Sequence, residues 1–192
     1  MPITINGNGT ITGLSVGGLP DGTVDADTLA NGAASGSKIT MPTGTVVQVV
    51  QGTFTGTNDT TGTGLVDTGV TKNITVTGSN KVLVSYTCYM SAKSGVYGVR
   101  TVLVRGSTQI FLGDQPSTGL RATGGGWTNN SLGDYTTWNH SNTFLDTPGA
   151  GTHTYKVQIS SSNSSYTAYF NRWGENTDNA SVSTKTLMEV SA

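Results

Sequence analysis

The sequence predicts an all-β protein: an antiparallel β-sandwich head behind a Gly/Thr-rich, extended N-terminal arm. Three observations carry this expectation. From Thr43 onward, short β-branched and aromatic runs are broken by clusters of Gly, Asn, Ser and Asp, with no apolar stripe of helical period. Within the runs, apolar and polar residues alternate, which puts one greasy face and one wet face on each strand. The first 43 residues carry only isolated apolar side chains among glycines, too few for a core of their own.

The arm comprises residues 1–43 and the head residues 44–192. In the arm, Ile3, Ile5, Ile11, Leu14, Leu19, Val24 and Leu29 are the apolar residues available for docking. Ordering so many glycines costs more entropy than these few side chains offset. The arm is therefore expected to order only against something else, such as identical copies of itself or a socket on a larger particle; a plain linker has the same composition. Asp25 or Asp27 is placed to cap one short helical turn before Gly32.

In the head, the expected strands are Gly44 to Thr55, Thr71 to Thr77, Lys81 to Lys93, Tyr97 to Arg105, Thr108 to Leu112, Asp134 to Leu145, Gly151 to Ser160, Tyr166 to Arg172 and Ser183 to Val190. Alternation is clearest where Val82, Val84, Tyr86 and Cys88 oppose Leu83, Ser85, Thr87 and Tyr89. It recurs where Tyr155, Val157 and Ile159 oppose Thr154, Lys156 and Gln158. The breaks Gly78-Ser79-Asn80, Arg105-Gly106-Ser107 and Ser161-Ser162-Asn163-Ser164 have turn chemistry and suggest hairpins. Gly113 to Gly133, with its Gly124-Gly125-Gly126 run, lacks any apolar pattern and reads as a long surface loop.

Composition excludes several classes of function. With 10 basic and 11 acidic residues, the chain has no excess of positive charge for nucleic acid, and no strongly charged partner is implied. The single cysteine, Cys88, lies in an apolar run and reads as a buried small hydrophobe. No leader and no apolar run near 20 residues is present, so neither export by a signal peptide nor membrane insertion is expected. His140 and His153 lack metal-ligand spacing, and no nucleophile elbow, phosphate loop or dinucleotide fingerprint occurs. Asp114, Asp134, Asp146, Glu175 and Asp178 are the carboxylates from which a glycoside-cleaving pair would have to come. The run Asn176-Thr177-Asp178-Asn179 is an unspecific calcium candidate. The expectation is a protein that is not an enzyme and needs no metal or cofactor.

The aromatic residues offer more. Trp127, Tyr135, Trp138 and Trp173, with Tyr166 and Tyr169, fall in the part of the chain that supplies Asn139, Asn171 and Arg172. Rings beside amide and guanidinium donors suit a saccharide- or protein-binding surface. Core or subunit-interface packing is the alternative for each ring. Trp127, Tyr135, Trp138, Asn171, Arg172 and Trp173 are the candidate receptor-binding residues.

Several short segments then resemble a known family. They are Gly64-Leu65-Val66-Asp67-Thr68-Gly69-Val70, Lys81-Val82-Leu83-Val84, Val104-Arg105-Gly106, Phe144-Leu145-Asp146-Thr147-Pro148-Gly149, Thr154-Tyr155-Lys156-Val157-Gln158, Tyr169-Phe170-Asn171-Arg172 and Thr186-Leu187-Met188-Glu189-Val190. In this order they resemble the β-sandwich head module of tail-fibre and virion surface proteins of tailed bacteriophages, especially cyanophages and phages of marine bacteria. Gly17-Gly18-Leu19-Pro20-Asp21-Gly22 is similar to N-terminal segments of such proteins. The resemblance implies a jelly-roll-like head, a homotrimer, and a place on the virion surface after synthesis in the host cytoplasm. It also implies an arm that binds a phage tail or capsid protein and a head that meets a host glycan or protein. The short chain has no shaft repeat, so capsid decoration stands beside the tail-fibre role; polysaccharide depolymerase is the remote alternative.

Overall fold

The computed structural model describes residues 4–5, 11–12, 41–92, 98–127, 137–174 and 179–192, for residues 4–5, 11–12 and 127 by their backbone alone. Ile3, Leu14, Leu19, Val24 and Leu29, the Asp25/Asp27 cap, Tyr135, Asp134 and 175–178 lie outside the described residues. The chain divides into two units, Met1–Met41 and Pro42–Ala192. In the first, β1 (Thr4–Ile5) pairs antiparallel with β2 (Ile11–Thr12), setting Ile5 opposite Ile11.

The second unit contains two antiparallel sheets. Its strands are β3 (Val46–Phe54), β4 (Asn58–Thr61), β5 (Val66–Val76), β6 (Lys81–Ala92), β7 (Gly98–Arg105), β8 (Thr108–Ile110), β9 (Gly124–Trp127), β10 (Trp138–Asp146), β11 (Gly151–Ser161), β12 (Thr167–Phe170) and β13 (Ser183–Val190). One sheet runs β3-β13-β6-β12-β4, with β10 on the other edge of β6; the second runs β5-β11-β7-β8, with β9 also on β7. All described pairings are antiparallel, and no helix occurs among the described residues. The pairings nest along the chain: β3 with β13, β5 with β11, β6 with β10, and β7 with β8 and β9.

The core lies between inward faces that the alternation had marked. Val82, Val84, Tyr86, Cys88 and Met90 of β6 meet Val70, Ile74 and Val76 of β5 and Tyr155, Val157 and Ile159 of β11. Each such side chain contributes roughly 1.5–3 kcal/mol through removal from water. Burial pushes the Cys88 thiol up to about 12, as suits an inert core residue.

Three expectations need correction. Of the turns read as hairpins, only Gly106 joins paired strands, β7 and β8. The turns after β5 and β11 carry the chain from one sheet to the other, because turn chemistry reverses a chain without choosing its next partner. β5 begins earlier than expected, since Gly69, at φ 88°, lies in a bulge that the strand passes through. The Gly113 to Gly133 segment is not loop throughout: Gly124–Trp127 forms β9.

Candidate functional site

The glycine run explains how the site is built. A Cβ on Gly124 would lie 2.0 Å from His140 Nε2, one on Gly126 would lie 1.8 Å from Trp138 Nε1, and one on Gly125 would lie 2.3 Å from the Val99 carbonyl oxygen. Glycine is required here by close approach. The side chains that fill the space above β9 come from β10, and the backbone of β7 presses against its middle residue. Gly125→Ala is expected to detach β9, because its obstacle is backbone that cannot rotate away. The predicted loss is about 2–4 kcal/mol, read from urea unfolding of the full chain, with early hydrogen exchange confined to β9 and its partner residues in β7.

His140 locks this arrangement. Thr101 Oγ1 donates to the Gly124 carbonyl at 2.9 Å and lies 2.9 Å from His140 Nδ1, while Asn142 Nδ2 lies 2.8 Å from His140 Nε2. These contacts close as a directed chain when the imidazole is neutral, with Nδ1–H donating to Thr101 and Nε2 accepting from Asn142. Burial lowers the His140 pKa, in keeping with that state.

Beside β9 lie two hollows of about 630 and 410 Å³, which share Arg100, Gly119 and Leu120. Together they form one groove. Its floor is Gly98 and the β9 glycines, and its walls include Thr118, Ser162, Gln109 and Arg121. The 113–122 segment that forms one wall is closed at its base by Gly113 N–H donating to the Ala122 carbonyl at 3.0 Å. Arg121 Nε donates to the Gly113 carbonyl at 2.8 Å. Arg100 acts as a strut: Nε donates to Ser160 Oγ at 3.0 Å, Nη1 to the Arg121 carbonyl at 3.2 Å and Nη2 to the Thr63 carbonyl at 3.2 Å. Burial lowers its pKa.

The sequence-derived receptor residues fall in different environments. Trp138 is half-buried against the core, and its Nε1 is buried without an acceptor among the described residues. Asn171 is 0% exposed at φ 56°. Its amide donates to the Phe54 and Gly56 carbonyls, both at 3.0 Å, and its Oδ1 accepts from Ser183 Oγ at 2.5 Å. It is a clamp that joins the chain after β3 to β13, and its amide is unavailable to an external ligand. Arg172 pairs with Asp59 at 3.1 Å and lies 4.5 Å above the Tyr169 ring. Trp173 is half-buried beside it in the chain. Trp127 contributes its backbone to β9, one residue beyond the groove floor.

Of the candidate carboxylates, Asp146 is buried and engaged by Arg105 and Tyr155. Among the described residues no three His, Cys, Asp or Glu side chains gather as metal ligands, and no helix is long and apolar enough to cross a membrane. Sequence reasoning missed Arg100 and Arg121, because neither sits in a motif; only knowing which arginines have carboxylate partners singles them out.

Comparison with protein-family models gives no match, and comparison with curated proteins gives none.

Proposed function

We propose that the protein is a bacteriophage virion structural protein, a short trimeric tail fibre. Its arm docks to the particle and its jelly-roll-like head contacts the host surface. The nested strand pairing supports the jelly-roll reading, since it is what results when one long antiparallel ribbon is rolled into two sheets.

The observation that carries self-association is the outer face of the larger sheet. Register aligns Val49, Met188, Leu83 and Leu145 in one apolar row across four strands. Val49 is 56% exposed and Leu145 47%. Neighbouring rows are Gln51-Thr186-Ser85-Thr143 and Thr53-Thr184-Thr87-Ser141, and at the other side Val46-Val190-Lys81. Lys81 is the only charge in these four rows. Copies meeting through this face encounter no like-charge repulsion between carboxylates and withdraw apolar surface from water. Among the described residues Val46–Phe54 is also an edge strand, paired only with β13, and a neighbouring copy would cover it.

The full chain is expected to sediment at three times the 19.8 kDa monomer mass. Met188→Asp, which puts a carboxylate into the apolar row, is expected to shift it to monomer with the far-ultraviolet spectrum unchanged. A monomeric wild-type chain at micromolar concentration contradicts the trimer.

A further inference from the structure

We propose that the groove over the glycine strand binds an acidic saccharide, with the carboxylate of one sugar unit held by Arg121 beside Arg100. The inference deepens the host-contact reading and rests on it.

Charge pairing points to an anion. The chain has four arginines. Arg105 pairs with Asp146 at 2.6 Å and Arg172 with Asp59 at 3.1 Å. The other two, Arg100 and Arg121, meet no carboxylate among the described residues, and both line this groove. Among the described residues, every donor contact of Arg100 ends on a neutral oxygen and no counter-ion accompanies its half-buried positive charge. An anion beside it would add a Coulombic attraction that neutral oxygens and water do not supply in full. Arg121 is exposed and, among the described residues, donates only through Nε, leaving its two terminal nitrogens as an open fork. That fork matches the two oxygens of a planar carboxylate. Among the described residues, no Asp or Glu lines either hollow to oppose it.

The rest of the groove favours a hydroxyl-rich ligand. Its floor presents backbone at Gly98 and the β9 glycines; the Cβ positions of Gly124 and Gly126 are filled by His140 and Trp138 and that of Gly125 by the Val99 carbonyl, so the floor offers peptide groups to a ligand. Thr118, Ser162 and Gln109 supply hydroxyls and an amide. Among the described residues, exposed Leu120 and half-buried Leu65 are the large apolar side chains that line it besides Val99, a sparse set of anchors for a hydrophobic peptide. The combined space suits a short oligosaccharide segment.

The test is calorimetric titration of the full chain with tetramers of galacturonate and of mannuronate, each beside its methyl ester. The ester keeps the shape and removes the charge. The acid forms are expected to bind at least tenfold more tightly than the esters, and Arg121→Gln to weaken acid binding at least tenfold with an unchanged melting temperature. Inorganic phosphate at 10-fold excess over the tetramer is expected to compete only weakly. Equal binding of acid and ester, undiminished binding by Arg121→Gln, stronger binding of phosphate than of either tetramer, or no binding of either tetramer overturns the inference. Any of these leaves the virion reading standing if the protein is found on particles. Absence from particles overturns that reading and leaves the measured saccharide binding intact.

Discussion

Asp146→Ala is expected to destabilise the head by about 3–5 kcal/mol, the effect of breaking a largely buried ion pair by removing one partner. Asp146 ends β10 in the larger sheet, whereas its partners, Arg105 of β7 and Tyr155 of β11, belong to the smaller one. Arg105 Nη1 lies 2.6 Å and the Tyr155 hydroxyl 2.7 Å from the same oxygen, Asp146 Oδ2. The carboxylate therefore pins the two sheets at one end of the core. Burial, followed by the adjacent carboxylate, raises the Tyr155 pKa, which keeps its hydroxyl a donor. Asp146→Asn retains an acceptor for Tyr155 but no charge for Arg105, and should cost less than half as much. Urea denaturation of both variants checks the order, and equal stability of wild type and Asp146→Ala would remove the pin from the account.

Lys185→Met is expected to do the reverse. Lys185 faces inward on β13 and is 0% exposed; its Nζ donates to the Val70 carbonyl at 3.0 Å and lies 6.0 Å from the Tyr86 ring centroid. No carboxylate accompanies it there among the described residues. Burial lowers its pKa from 10.5 to about 7. The unfolded chain keeps the proton that the native state gives up. Wild-type stability therefore rises with pH from about 7 toward 10.5, and the full penalty applies below 7. The slope from this group is about 1.4 kcal/mol per pH unit. Lys185→Met is expected to be more stable at pH 7 by about 1–4 kcal/mol and to lack that slope. The comparison belongs between pH 7 and 8.5, below the ordinary pKa of 9.0 at which the Cys88 thiol of the unfolded chain ionises. A wild type and variant with parallel pH profiles would show that the ammonium finds solvent.

Strands with one buried face were legible in the sequence, and others were not. β6 and β13 show clean alternation, and Ser183–Val190 has the expected bounds. β4, Asn58–Thr61, has four polar residues and is a strand only because β12 supplies a backbone to pair with. β9 escaped notice because three of its four residues have no side chain. Their reason lies in His140 and Trp138, distant in sequence, and in the Val99 backbone. At the site, composition suggested a surface of rings and amides. Folding instead committed the Asn171 amide to the interior, because a left-handed residue beside two unpaired carbonyls needed a donor there. The uncompensated arginines were invisible until the pairs Arg105–Asp146 and Arg172–Asp59 were known.

A place on the outside of a virion can be read from immunogold electron microscopy of intact particles with antibody against residues 44–192. Gold is expected at the tail, in numbers matching a few appendages. Gold spread over the capsid would contradict the tail placement and make this a decoration protein, and unlabelled particles would contradict the virion role itself.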